Sequence, residues 1–239
     1  MASVCATIPA QVDEVKRLMA DAAGRAGRPV EDITLMAAVK SRSPEEIREV
    51  LASGLTVLGE NRIQEGLGHL EALGSLRRSS FRAHFIGRLQ TNKARRALQA
   101  FDSIDSVDSL RLAQILSRLA LECQVSLDIL LEVNLGEESQ KGGVPPEDTR
   151  ALAESVHGLP GLTLAGLMAV CPFDEDPRAS RPYYRTLAQL FDRVRGDHPR
   201  PEACRWLSMG MSHDFEVAVE EGATLVRVGQ ALFGPRRPP

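Results

Sequence analysis

Eight times along the chain a short apolar run is followed by a segment with helix-forming character. This repetition limits the folds open to a sequence of 239 residues. The apolar runs lie near 33–39, 55–59, 82–86, 101–105, 127–133, 162–167, 204–207 and 224–228. Helices are predicted from Ser43 onward and near 62–73, 90–99, 108–122, 146–157, 180–195, 213–221 and 230–233, with another near 9–26 ahead of the first run. Ser43-Pro44-Glu45-Glu46 reads as a helix start. Ser43 can cap, Pro44 suits the first position, and the two acids suit the positive end of the helix dipole. Strand–helix alternation favours parallel strands joined by right-handed crossovers. Eight such units predict an α/β chain folded as a single (β/α)8 TIM barrel over 1–239, ending in a short disordered tail near 235–239; about 250 residues is typical of that fold. A doubly wound open sheet is the competing arrangement. The lack of Gly-x-Gly-x-x-Gly after the first strand counts against its dinucleotide-binding version.

Aromatic residues are only 4% of the chain against 43% hydrophobic overall, so Leu, Val, Ile and Ala must fill the core. The formal net charge of −3 does not point to a polyanionic partner. Basic runs such as Arg77-Arg78 and Lys93 with Arg95 and Arg96 read as solvated helix faces, and no nucleic-acid partner is expected. Cys5, Cys123, Cys171 and Cys204 are far apart and lack metal-ligand spacing, which fits reduced thiols in a cytoplasmic protein. There is no basic-then-apolar leader and no apolar run near the ~20 residues of a membrane span.

Polar residues cluster where the predicted strands end. Lys40 closes the first apolar run and would face the mouth of a parallel barrel, where active sites sit. Partial burial makes a lysine amine a better nucleophile toward an aldehyde. Gly59-Glu60-Asn61 brings a carboxylate and an amide to the same rim, and His84 lies within the third strand, where its ring could point inward. Late in the chain, LSMGMSHD (207–214) offers Ser208, Ser212 and amides beside Gly210. GATLVRVGQALFG (222–234) offers Arg227 on the last strand and Gly229 opening a short helix. Loops after strands seven and eight, with a helix N-terminus, form the common phosphate site of such barrels.

The segments LMAAVKSRSP, LGENRIQE, HFIGRLQTNK, SIDSVDS, LLEVNLGEESQKGG, LAGLMAV and LSMGMSHDFEVAVEEGATLVRVGQALFG stand in this order. In them the chain resembles the pyridoxal 5′-phosphate (PLP) homeostasis family from about residue 30 to 234. The resemblance implies a barrel similar to the N-terminal domain of alanine racemase, with PLP in Schiff-base linkage to Lys40. It implies phosphate contacts from Ser212, Gly229 and Gln230, with Ser208 and Met209 close by. It sets Arg227 against the pyridine nitrogen, a cation that would keep the ring a weaker electron sink. Asn61 would lie near the ring, and His84 and Met168 count among the cofactor-binding residues. The chain departs from the family pattern at Val39, where Ser or Thr is usual, at Arg62 in place of an aromatic, and at His213 in place of Asp. Gln230 stands where Thr or Ser is common, which removes a hydroxyl but leaves the amides at 229 and 230.

The leading functional expectation is a PLP-binding protein that holds and supplies the cofactor, with PLP-dependent apo-enzymes as recipients and a monomer or weak dimer as its state. The alternative is a PLP-dependent amino-acid racemase, which needs acid–base groups on both faces of the substrate carbon. The chain stops soon after Gly234, which leaves no room for the β-rich second domain that alanine racemase uses. A third reading is a phosphate-binding barrel without PLP.

Overall fold

The computed structural model describes residues 7–77, 80–136 and 142–235. The tail beyond 235, Cys5, Arg78 and the EESQK part of the fifth segment lie outside the described residues. Eight parallel strands close into a barrel in sequence order: β1 (Thr34–Ala38), β2 (Val57–Glu60), β3 (Arg82–Phe85), β4 (Ser103–Val107), β5 (Leu127–Val133), β6 (Leu162–Ala169), β7 (Trp206–Ser208) and β8 (Leu225–Val228). The ring closes through β1 and β8, where Met36 is level with Arg227. An open doubly wound sheet is thereby excluded.

A helix follows each strand: α2 (Pro44–Ala52), α3 (Ile63–Leu73), α4 (Ala94–Ala100), α5 (Leu110–Cys123), α6 (Pro146–His157), α7 (Arg181–Gly196), α8 (Phe215–Glu220) and α9 (Gln230–Phe233). The first helix, α1 (Ile8–Arg25), packs on α2, α8 and α9. The start of α2 is the predicted capping box. The Ser43 hydroxyl accepts from the Glu46 amide at 3.3 Å, and the Glu46 carboxylate accepts from the Ser43 amide at 2.8 Å. Predicted and observed elements agree within a few residues. The helix predicted from 90 begins as a 3-10 turn over Thr91–Lys93.

Strand alternation separates two cores. Outward residues such as Leu35, Ala37, Ile104, Leu131 and Val226 pack under the helices. Inward residues fill the barrel: Met36, Val57 and Leu225 form one group and Leu130, Ala165 and Met168 another, and Trp206 touches both. Simple alternation would turn Met168 outward, because Ala165 already points in. A bulge corrects the phase. Leu164 pairs with Ile129, but the next residue of β5, Leu130, pairs with Gly166. This extra residue re-aims the end of β6, a common use of bulges beside functional sites. Met168 then faces inward, level with Ser208 of β7.

Gly166 makes the bulge possible. Its φ is 153°, and a Cβ there would lie 1.8 Å from the Trp206 carbonyl oxygen. Gly166→Ala therefore forces β6 and β7 apart. The expected cost is above about 3 kcal/mol, which lowers Tm by roughly 6–12 °C in a chain of this size. Thermal unfolding followed by circular dichroism checks this, and an unchanged Tm would contradict it.

Candidate functional site

The site lies at the C-terminal mouth of the barrel, where β8 meets β1. Lys40 sits two residues beyond β1, on the same inward alternation as Met36 and Ala38. It is half-buried. The turn that carries it is fixed on both sides. The Val39 amide donates to the Gly59 carbonyl at 3.0 Å, and the Arg42 amide to the Val39 carbonyl at 3.2 Å. Ser41, with φ of 59°, donates its amide to the Glu65 carboxylate. The Arg42 guanidinium is buried and donates to the carbonyls of Phe233 and Gly234 at 3.2 and 2.7 Å. It thus ties the Lys40 turn to the C-terminal end of α9.

Arg227 is 5% exposed and points into the barrel. An unpaired buried charge is costly, so its hydrogen-bond partners matter. One terminal nitrogen donates to the Ser208 hydroxyl at 2.7 Å and the other to the Ala169 carbonyl at 2.8 Å. Burial pushes its pKa down, and the neighbouring Tyr184, Asp105, Glu132 and Asp214 oppose that shift. Beneath it lies a buried polar group. His84 Nδ1 is 2.9 Å from Asp105, and Ser103 donates to the same carboxylate at 2.5 Å. The His84 ring stands edge-on to Trp206 with centroids 6.3 Å apart. His84 Nε2 and Trp206 Nε1 are buried without a hydrogen-bond partner among the described residues.

The loop between β7 and α8 forms the third side. Asp214 is buried and organises it, accepting from the Met211 amide at 2.7 Å, the Tyr184 hydroxyl at 2.7 Å and the Ser180 hydroxyl at 3.2 Å. Burial, then the Asp214 charge, pushes the Tyr184 pKa up. Gly210, at φ 89°, lets the chain pass α8, since a Cβ there would meet Ala218 at 2.5 Å. Ser212 then receives the amides of Gly229 and Ala231 at 3.1 and 3.3 Å. Both backbone N–H groups are taken up by the Ser212 oxygen, which leaves the hydroxyl hydrogen to donate, and an anion drawn to this helix start would share the same amides.

A cavity of about 230 Å³ joins these parts, lined by Lys40, Arg42, Ser212, Arg227, Gly229 and Gln230, with Ala38, Met211, Phe173 and His213 completing the wall. Among the described residues, its lining contains three basic side chains, Lys40, Arg42 and Arg227, together with the His213 imidazole, and no carboxylate. The fit to PLP rests on this donor set: an amine, an anion cradle and a buried guanidinium face one small cavity.

The other sequence-predicted residues take different places. Ser208 supports Arg227, and Met168 packs inside the barrel. Met209 donates its amide to the Leu225 carbonyl, and its side chain joins the core outside the barrel. Asn61 lines a neighbouring groove, and its Oδ1 is buried without a hydrogen-bond partner among the described residues. Gly87 presses on the Asn61 backbone, since a Cβ there would lie 2.1 Å from the Asn61 carbonyl oxygen. Glu60 corrects the expectation of a rim carboxylate. Alternation turns it outward, where it meets His69 of α3 at 2.6 Å. Burial raises the Glu60 pKa against the pull of His69, and the bond to Glu60 raises that of His69.

Four supporting residues escaped the sequence reading: Arg42, Asp105, Glu132 and Asp214. Alternation along LDILLEV would have pointed Glu132 inward with Asp128 and Leu130. Burial raises its pKa, as does Asp108.

The alanine racemase N-terminal domain family matches residues 13–237. The chain is 44% identical over 213 residues to the pyridoxal phosphate homeostasis protein of Aquifex aeolicus, covering 89% of this chain and 91% of that one. It is 40% identical to the Pseudomonas aeruginosa protein of the same name over 231 residues, 96% of each chain. The structure of PipY from Synechococcus elongatus with PLP bound superposes with a TM-score of 0.78 at 34% identity, covering 92% of this chain and all of that one. Alanine racemase of Clostridium difficile shares the fold alone, with a TM-score of 0.69 at 14% identity, and the barrel covers 56% of it. With the barrel, the mouth and these relatives in agreement, the chain belongs to the pyridoxal phosphate homeostasis protein family.

Proposed function

We propose that this barrel binds PLP at its C-terminal mouth, holds it on Lys40 and serves as a reversible store and source of the cofactor. The observation that carries the reading is the cavity shared by Lys40, Arg227, Ser212 and Gly229, with the Gly229 and Ala231 amides meeting at the Ser212 hydroxyl. Relatives named for PLP homeostasis and the PLP-bound PipY structure support it.

The residues divide the work. The Lys40 amine would supply the nucleophile for the aldehyde carbon. Ser212 and the start of α9 would hold the phosphate, and Arg42 fixes the far end of α9 so that these groups stay in place. Arg227 would face the pyridine ring. PLP when bound supplies an electron sink, strongest with its ring nitrogen protonated. A guanidinium, which stays protonated, disfavours a second proton on that nitrogen. Binding is thereby retained while carbanion chemistry is weakened.

The alternative, an amino-acid racemase, needs a proton donor and acceptor on opposite faces of one carbon. His213 in the cavity wall is tied to the Glu175 carbonyl at 3.1 Å, and Arg42 and Arg227 are poor proton carriers. Among the described residues, the cavity thus offers Lys40 for one face and no counterpart for the other.

Two outcomes are expected. In equilibrium titrations with PLP, Arg227→Ala and Ser212→Ala each lose a hydrogen bond to a charged group, a cost of ~1.5–3 kcal/mol or about ten- to a hundredfold in affinity. Unchanged affinity in both would remove the cofactor from this wall. In a chiral assay with alanine and serine, PLP-saturated protein should turn over far below the ~1–10³ s⁻¹ of ordinary enzymes. Turnover within that range, abolished by Lys40→Ala, would favour the racemase.

A further inference from the structure

A second, larger concavity of about 930 Å³ opens on the same face of the barrel, over the ends of β2, β3 and β4. Its rim carries Arg62 at the start of α3, Arg88 after β3, Lys93 before α4 and Arg111 in the first turn of α5. Asp108 is the one acid in its lining. Arg62, Arg88 and Arg111 are exposed, and Lys93 is half-buried.

Elsewhere on the surface, arginines find carboxylates. Arg17, Arg25, Arg82, Arg150 and Arg205 each hold one at 2.6 to 2.8 Å. Among the described residues, none of the four groove cations makes such a pair. In a chain of net charge −3, this leaves a local positive field beside the cofactor mouth. Asn61 joins the two regions. It lines this groove and stands at the end of β2, next to β1 and Lys40.

We propose that this groove docks an acidic segment of the protein that receives the cofactor. The inference rests on the supply role proposed above for its purpose, and on the groove itself for its charge. The cations are exposed and spread along the rim, an arrangement that steers and registers a protein surface rather than enclosing a small anion. Arginine forks match carboxylates in bidentate pairs. A single-stranded nucleic acid would want exposed aromatic faces for stacking. The groove's aromatic ring, Phe85, is 1% exposed. Docking here would set the recipient against the mouth that holds PLP, so the cofactor need not cross bulk solvent.

The test uses the full chain and a fluorescein-labelled peptide of eight glutamates, followed by anisotropy. Binding is expected at about 50 mM salt and should weaken steeply by about 300 mM. Arg62→Glu with Arg111→Glu should weaken it by at least about tenfold, or 1.4 kcal/mol. Arg193→Glu with Arg195→Glu, at the far end of α7, should leave it unchanged, and PLP loading measured on the same samples should be intact in both variants. Equal binding by wild type and the groove variant would overturn the proposal. So would displacement of the peptide by equimolar inorganic phosphate, or tighter binding of an oligonucleotide of equal charge. Peptide binding in a sample that takes up no PLP would keep the groove and sink the cofactor reading, so the two failures are separable.

Discussion

Arg227 brings a full positive charge into a barrel interior that also holds Met36, Trp206, Leu225 and Met168. Such a charge costs several kcal/mol unless the protein surrounds it with acceptors. Much of the mouth can be understood as that surrounding. Ser208 and the Ala169 carbonyl accept its hydrogen bonds, and Asp105, Glu132 and Asp214 favour its charged form. The bulge at Gly166 serves the same end, since it sets the phase of the last residues of β6, where Ala169 presents its carbonyl. A guanidinium held this firmly is a fixed electrostatic wall, with little freedom to reorient when a ligand arrives.

Around that wall, the chain ends of the first and last strands are locked together. Lys40 lies in a turn between β1 and α2, and Arg42 from the same turn grips the end of α9. The start of α9 supplies the amides that meet Ser212. Amine, anion cradle and guanidinium are therefore parts of one rigid assembly spanning nearly 200 residues of sequence. This rigidity suits a protein whose task is to hold a cofactor in one pose. It also gives the proposed neighbouring groove a stable reference, because Asn61 and Lys40 sit on adjacent strand ends.

The parts legible in the sequence were those encoded by local pattern. Eight apolar runs separated by helices specify a parallel barrel because crossovers demand that spacing. Lys40, Ser212 and Arg227 stood out as polar residues at strand ends, and their meeting in one cavity follows from barrel closure. What escaped notice depends on partners distant in sequence. Nothing near Arg42 announces a contact with Phe233 and Gly234, and nothing near Asp214 announces Tyr184. The outward turn of Glu60 follows from counting along β2 from Gly59, whose missing side chain makes room for Met36. The bulge in β6 was hidden because its cause, the Trp206 carbonyl pressing on Gly166, lies across the sheet.

The central claim is a covalent hold on PLP by Lys40, in the turn just beyond β1. Borohydride reduction of PLP-loaded protein, followed by proteolysis and mass spectrometry, tests it most directly. The account predicts a reduced pyridoxyl group on the peptide containing Lys40. Label confined to another lysine, or no label in protein shown to be loaded, would contradict it.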